Sequence, residues 1–422
     1  MKLLVHGLNF WPELTGVGKY SGEMAQWLSA HGHAVQVVTA PPYYPEWKVL
    51  PGYRASSYRR ETWGTGPAAV QVLRCPLWVP RRVTTSRRLL HLASFAICSL
   101  PGLWLALRRR PQVMLLLAPT LFVAPGALLL ARLFRVPVWL HVQDFEVDAM
   151  FDLGMGGSGG RLRRLALAAE RALLKRFDRV SSIAPRMVDK LPGKGVSPAR
   201  CVLFPNWVDL SAVYPLIGPN PFRQQFGLAD SDVLVLYAGN MGEKQGLEMV
   251  VQAAATLASR PELRFVLAGQ GAARARLEKE AQGLPNIMWL PLQPVELLNA
   301  LLNAADIHVL PQRADAADLV MPSKLTGMLA SGRATVGTAA AGTQLGQVLD
   351  AAGWRVEPGD VAGLGAALAS LAADSAQRAV LGQRARAYAE QHFAQDAIMT
   401  RFEAQLKQLV VEVADPPARS TP

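Results

Sequence analysis

The chain reads as an α/β protein of two successive doubly wound, Rossmann-like domains. Three observations carry that expectation. Short apolar, β-branched strands alternate with amphipathic helices, the pattern of parallel sheets. The series starts afresh after about residue 210. In each series the first strand runs straight into a glycine-rich loop. At 422 residues, half of them hydrophobic and 18% charged, the chain can fill more than one core and is not a disordered polymer.

The first series begins with a strand over Lys2–Leu8, a loop, and a helix over Gly18–Ala30. Val35–Thr39 follows, then a strand at Val113–Leu117, a helix at Leu121–Phe134 and a strand at Val136–Val142. Val180–Ile183 and Cys201–Phe204 complete this half. Pro205–Pro221 holds four prolines and little periodicity, which places the domain boundary there. The second series has strands at Val233–Ala238, Arg264–Ala268, Asn286–Leu290, Asp306–Leu310 and Ala334–Thr338. Between them lie helices near 246–258, 272–282, 294–304 and 323–330. Helical patterns then cover Val361–Gln391 and Asp396–Val413. The expected division is therefore 1–208, 209–391, a C-terminal helix over 392–413 that packs back on the first domain, and a disordered tail from 414 to 422.

Charge separates the halves. Through residue 210 the balance is +15 and beyond it −3, within a total of +12. The first half thus suits an anionic partner: nucleic acid, a phosphorylated substrate or a lipid surface. No RNP, zinc-finger or helix-turn-helix pattern accompanies the basic residues, so nucleic acid is not the expected partner. Cys75, Cys98 and Cys201 are scattered, with no CxxC pair, which fits a reducing cytoplasm. The opening MKLLVHGLNF is too short an apolar run for a secretory leader. Leu89–Leu107 is apolar, broken by Pro101–Gly102, and flanked by Arg81, Arg82, Arg87, Arg88, Arg108, Arg109 and Arg110. It suits a buried helix or hairpin, a segment lying in a membrane interface with its arginines on lipid phosphates, or a minimal span.

Four segments carry candidate chemistry. Asn9–Gly18 (NFWPELTGVG) opens a helix with Gly16 and Gly18, where backbone can approach an anion. Its spacing lacks the third glycine and the later acid of a dinucleotide site, so no nicotinamide or flavin cofactor is expected. Tyr237–Gly246 (YAGNMGEKQG) repeats the arrangement in the second series, with Gly239 and a cation, Lys244. Gly269 follows the next strand. Met321–Gly332 (MPSKLTGMLASG) brings Pro322, Ser323 and Lys324 to a helix start suited to phosphate or ribose oxygens. Finally, HVQDFEVD places His141 and Asp144 at a strand end, where they suit acid–base or acceptor contacts, with Glu146 and Asp148 as lesser candidates. No HxH, HExxH or DxD spacing points to a metal.

These segments resemble glycosyltransferase family 4, of the GT-B fold, in which two Rossmann-like domains face each other across a cleft. The resemblance runs from Lys2 to about Phe402. It rests on TGVGKYSGEMAQWLSAHGHAVQVVTAPPYYPEW, on FPNWVDL (Phe204–Leu210), and on YAGNMGEKQGLE and MPSKLTGMLASG. It implies metal-independent, retaining transfer from a GDP- or UDP-linked sugar, a substrate rather than a cofactor, held mainly by the second domain. Gly16, Gly18, Gly239, Lys244, Gly269, Pro322, Ser323 and Lys324 would then contact the donor, and His141 or Asp144 the reacting sugar. It also implies a lipid-linked saccharide acceptor on the first domain, in the synthesis of a colanic-acid-like exopolysaccharide by a cytoplasmic protein peripherally associated with the inner membrane. The family pattern is broken in two places. Where paired glutamates stand eight residues apart, this chain has Leu319, beside Asp318, and Gly327. Where the glycine-rich loop carries Arg and Lys, it has Asn240 and Gln245. A sugar-nucleotide epimerase of the same fold would need acids about the sugar C2. A non-catalytic basic scaffold would bind anionic surface without turnover.

Overall fold

The computed structural model describes residues 1–14, 16–64, 66, 69–119, 121–145, 160–229, 231–313 and 322–415, with the backbone alone at 161, 162 and 244. It divides into two units: Met1–Pro205 together with the chain from Ile398 onward, and Asn206–Ala397.

The first unit is built on eight strands: β1 (Lys2–Gly7), β2 (Ala34–Thr39), β3 (Arg59–Trp63), β4 (Val70–Arg74), β5 (Val113–Ala118), β6 (Val138–Val142), β7 (Arg179–Ser182) and β8 (Cys201–Leu203), ordered β3-β4-β2-β1-β5-β6-β7-β8. All pairings are parallel except β3 with β4. Parallel strands are covered on both faces, which is why β5, VMLLLA, is buried at all six positions. The helices are α1 (Gly16–Ala30), α2 (Thr85–Cys98), α3 (Leu100–Leu107), α4 (Ala124–Phe134), α5 (Gly160–Leu174) and α6 (Pro185–Gly193). Leu92 and Phe95 of α2, Leu103 and Leu107 of α3, and Ala127 and Leu128 of α4 enter one core with Leu4 and Leu116. The apolar segment at Leu89–Leu107 is therefore part of this α/β unit. It breaks at Ser99, two residues before Pro101, whose ring nitrogen has no hydrogen to donate.

The second unit has β9 (Val233–Ala238), β10 (Leu263–Ala268), β11 (Ile287–Leu290), β12 (Ile307–Leu310), β13 (Ala334–Thr338) and β14 (Trp354–Val356), in the order β11-β10-β9-β12-β13-β14. Numbered within the unit this is 3-2-1-4-5-6, the dinucleotide-fold order, whose switch point lies between β9 and β12. Its helices are α7 (Pro221–Gln225), α8 (Glu248–Thr256), α9 (Arg274–Glu280), α10 (Leu298–Ala304), α11 (Lys324–Ala330), α12 (Gln344–Ala352), α13 (Val361–Ala373) and α14 (Ser375–His392). The helical pattern expected as continuous over 361–391 is two helices. Asp374 ends the first and caps the second, accepting the Gln377 N–H at 2.8 Å. Likewise the strand expected from Val136 starts at Val138, after Pro137.

The last helix, α15 (Gln395–Ala414), counts with the first unit from Ile398 onward. Phe402 is buried, stacked on Phe204 at 3.9 Å between centroids and edge-on to Trp139 at 5.1 Å. His33 and Glu403 pair at 2.7 Å beside it. Truncating Phe402 to Ala should cost about 3–5 kcal/mol, the usual range for emptying a buried aromatic site. Urea unfolding followed by tryptophan fluorescence checks this; a loss below about 1 kcal/mol would mean that the helix is not an integral part of the first unit.

Candidate functional site

The switch point of the second unit gathers the residues with the clearest functional geometry. After β9 the chain turns through Gly239, and after β10 through Gly269. Gly269 N–H is donated to the Leu290 carbonyl at 3.0 Å and Gly239 N–H to the Ala268 carbonyl at 2.8 Å, so the two loops run as neighbours beyond the sheet. Gly269 has φ +147°, and a Cβ there would sit 1.9 Å from the Gly239 carbonyl oxygen. Only glycine permits that approach. Arg274 fixes the second loop from behind, donating to the carbonyls of Gly269 (2.6 Å) and Leu290 (2.9 Å) and bonding Glu278 at 2.7 Å.

Lys324 enters these loops from the other side of the switch point, after β12. Its aliphatic stem lies against Gly239, where a Cβ would come within 2.8 Å of Lys324 Cε. Lys324 Nζ donates to the Tyr237 hydroxyl and to the Asn240 carbonyl, the latter at 3.1 Å, and lies 4.1 Å from the Tyr237 ring centroid. The Tyr237 hydroxyl in turn donates to the Asn240 carbonyl at 2.5 Å. Among the described residues no carboxylate pairs with Lys324. Burial therefore acts on the ammonium unopposed and draws it down to about 7. An ammonium held on neutral oxygens, beside an aromatic face and two glycine turns, is a cation to which the described residues offer no anion. Gln245 adds a buried side-chain oxygen with no hydrogen-bond partner among the described residues.

The other sequence candidates fall as follows. Lys244 lies in the short 3-10 turn Glu243–Gln245, but its side chain is outside the described residues, as are Glu146, Asp148 and Asp318. Pro322 and Ser323 precede α11, a helix of seven residues. Ser323 makes no capping bond with its side chain, and its carbonyl instead accepts the Thr326 hydroxyl at 2.9 Å. In the first unit Gly16 begins α1 with φ +56° and open space beside it. Gly18 is different: a Cβ there would meet Glu13 Cβ at 2.6 Å, so this glycine makes room for a buried side chain. That carboxylate, missed in the sequence, accepts the N–H groups of Tyr43 (2.9 Å) and Tyr44 (3.0 Å) and the Asn9 amide (2.8 Å). Burial raises its carboxyl.

His141 is not on the loop after β6 but within the strand. It is buried, with Nδ1 at 2.9 Å from the Ser181 hydroxyl and its ring against Phe204. Burial lowers its imidazolium to about 3, which makes it a poor proton acceptor near neutrality. Asp144 follows the strand and is exposed. All seven flanking arginines, Arg81, Arg82, Arg87, Arg88, Arg108, Arg109 and Arg110, are exposed. Among the described residues none is paired with a carboxylate.

The buried lysine yields a stability signature. Its folded-state pKa is near 7 and its unfolded value about 10.4, so between these limits the unfolded chain binds more protons and stability rises with pH. Relative to Lys324→Met, the wild type should gain stability from pH 7 to pH 9, by no more than about 1.4 kcal/mol per pH unit. The variant should be at least as stable as the wild type at pH 6.5. Chemical unfolding of both proteins across this range checks it; parallel pH profiles would remove the buried-cation reading.

Comparison with known proteins gives this geometry a family. Residues 15–207 match the glycosyl transferase 4-like domain and residues 220–388 the glycosyl transferases group 1 domain. The chain is 47% identical over 356 residues to the putative colanic acid biosynthesis glycosyl transferase WcaI of Escherichia coli (strain K12), covering 83% of this chain and 86% of that protein. Two solved structures, each aligned over 97% of this chain, share the fold. Sucrose-phosphate synthase from Thermosynechococcus elongatus superposes over 99% of its own chain with a TM-score of 0.76 at 19% identity. Anabaena HepE, in complex with UDP and glucose, superposes over 100% of its chain with a TM-score of 0.66 at 14% identity. The chain belongs to the glycosyltransferases of GT-B fold, with a family 4-like first domain and a group 1 second domain.

Proposed function

We propose that the protein transfers a sugar from a nucleoside diphosphate carrier to a lipid-linked saccharide during synthesis of a colanic-acid-like exopolysaccharide. The observation that carries the donor assignment is Lys324: a buried ammonium with no carboxylate partner among the described residues, set among glycine turns at the switch point of the second sheet. A diphosphate would supply the missing negative charge, and the two glycine turns let its oxygens come close to backbone. As the sugar–phosphate bond breaks, charge grows on the leaving oxygen. Lys324 would stabilise that charge without the solvent reorganisation that bulk water requires. HepE has been solved with UDP and glucose, and the WcaI relative is named for colanic acid; both support this reading of donor and product. In this proposal the transfer needs no metal and retains the anomeric configuration.

The acceptor reading rests on the first unit. Helices α2, α3 and α4 send their inner faces into one core, so their outer faces share one side of the unit. Those outer faces are apolar: Ile97 is 67% exposed, and Leu129 and Leu133 are each 71% exposed, with Leu90, Trp104 and Leu105 also exposed. Arginines stand at both ends of the α2–α3 segment. An apolar layer rimmed by cations matches an anionic lipid surface, where ring and leucine side chains enter the acyl boundary and guanidinium groups meet phosphates. This surface supports the reading that the protein works at the cytoplasmic face of the inner membrane.

A thermal-shift screen of UDP, GDP and their sugars should single out one nucleotide that raises Tm, with the shift lost in Lys324→Met. Incubating that nucleotide-sugar with lipid-linked saccharide and excess EDTA should release nucleotide and give one product anomer by NMR. If no nucleotide shifts Tm, the donor assignment is wrong. For the membrane surface, flotation with vesicles containing 30 mol% phosphatidylglycerol, about the level at which surface potentials attract basic segments, should recover the wild type. Arg87→Glu/Arg88→Glu should stay unbound, and equal recovery of both proteins would exclude this docking face.

A further inference from the structure

The first unit holds a second concentration of charge, at β3 and β4. Strands β3 and β4 are antiparallel, with Arg59 directly opposite Arg74. Like charges directly across a strand pair repel, so this register works against the sheet unless something compensates. One carboxylate does so in part. Glu61 takes the Arg74 Nε–H at 2.7 Å and lies 3.7 Å from Arg59 Nε. Both guanidinium groups lie over the Tyr53 ring, Arg59 at 5.2 Å and Arg74 at 5.4 Å from its centroid. A third guanidinium, Arg54, follows Tyr53 and among the described residues has no partner.

Tyr53, Arg54, Arg59 and Arg74 line a cavity of about 150 Å³, together with Pro41, Gly52 and Ser57. Arg74 forms its wall and is only 1% exposed. Its donors to the Ala40 carbonyl (3.0 Å) and the Trp11 carbonyl (2.5 Å) lock it in place. Trp11 lies in the Asn9–Gly18 loop and Pro41 follows β2 by two residues, so the cavity opens at the carboxyl ends of the parallel strands, the ligand-binding edge of such sheets. Arg59 is held by the Gly52 carbonyl at 2.6 Å and keeps further N–H groups for a ligand. Three guanidinium groups against one carboxylate, around a space large enough for several heavy atoms, describe a receptor for an oxyanion.

We propose that this cavity is an oxyanion subsite that receives a carboxylate or phosphate carried on the saccharide acceptor. The proposal rests on the reading that the first unit takes the acceptor, and it adds that the acceptor is charged near the sugar it presents. A uronic acid would supply a carboxylate, and a lipid diphosphate would supply phosphate.

Arg54 and Arg59 are exposed at the cavity rim, so Arg54→Gln/Arg59→Gln removes two cations while leaving the buried Arg74 network alone. Binding of D-glucuronate, inorganic phosphate and neutral methyl glucoside to the full chain is measured by isothermal titration calorimetry in 50 mM salt. The wild type should bind at least one oxyanion about tenfold more tightly than the neutral glycoside, and the double variant should lose about tenfold, as expected for charge-assisted contacts. Preference for glucuronate identifies a uronate-bearing acceptor; preference for phosphate identifies the lipid diphosphate. Equal oxyanion binding by the two proteins, or no preference over methyl glucoside, overturns the subsite. The nucleotide-induced Tm shift is recorded on the same samples. If the double variant keeps that shift, a failure here concerns the subsite alone; if the wild type lacks it, the donor reading has failed separately.

Discussion

The arrangement depends on a buried ammonium that no carboxylate among the described residues neutralises. Lys324 is held by the Asn240 carbonyl and the Tyr237 hydroxyl and packed against Gly239, and burial disfavours its charged form. A protein built for stability alone would put a carboxylate beside it or an apolar side chain in its place. Much of the local structure serves to hold it there. β9 ends at the switch point, the two glycine turns stack so closely that a methyl group on Gly269 would collide with the Gly239 carbonyl, and Arg274 braces the second turn from behind. The binding energy of an anion there would compensate a cost already present in the folded protein, which is the logic of a preorganised electrostatic site.

The two units divide the charge differently. The second is near neutral in sum, and the cation described at its switch point, Lys324, is buried. The first carries the surplus: arginines around the α2–α3 segment beside exposed leucines, and a separate group about Tyr53 that encloses a cavity. Single buried charges suit stoichiometric recognition of a small diphosphate. Distributed exposed charges suit a surface, whose attraction falls off over a Debye length of about 8–10 Å.

Much of the fold is legible in the sequence because parallel strands buried on both faces must be apolar runs, and β1, β5, β9 and β10 are such runs. The elements that escape are those without that constraint. β3 is RRETW, an edge strand with charge on it, and nothing in its composition signals a strand. β14 has only three residues. The candidate site is legible in part. Gly239, Gly269 and Lys324 lie together as their loop positions suggest, because in an open α/β sheet the loops leaving the carboxyl edge at the switch point converge. His141 shows the limit of that rule: it also lies near a strand end, yet side chains alternate along a strand, and its turn points into the core beside Phe204. Gly18 shows another, since spacing alone does not tell a glycine facing a ligand from one that makes room for Glu13. Arg74 and Glu13 leave no motif at all; their roles depend on backbone carbonyls and amides brought together from distant loops.

If Lys324 is the group that meets the diphosphate, nucleotide binding must carry a proton with it. The free side chain titrates near 7, and a bound diphosphate restores its preference for the charged form, so above neutrality the complex takes up close to one proton. Calorimetric titration of the stabilising nucleotide at pH 8, repeated in buffers of different ionisation enthalpy, measures that number directly. Uptake approaching one proton, absent in Lys324→Met, with affinity falling about tenfold or more from pH 7 to pH 9, is the expected result. Tight nucleotide binding with no proton uptake and no dependence on Lys324 would contradict the account.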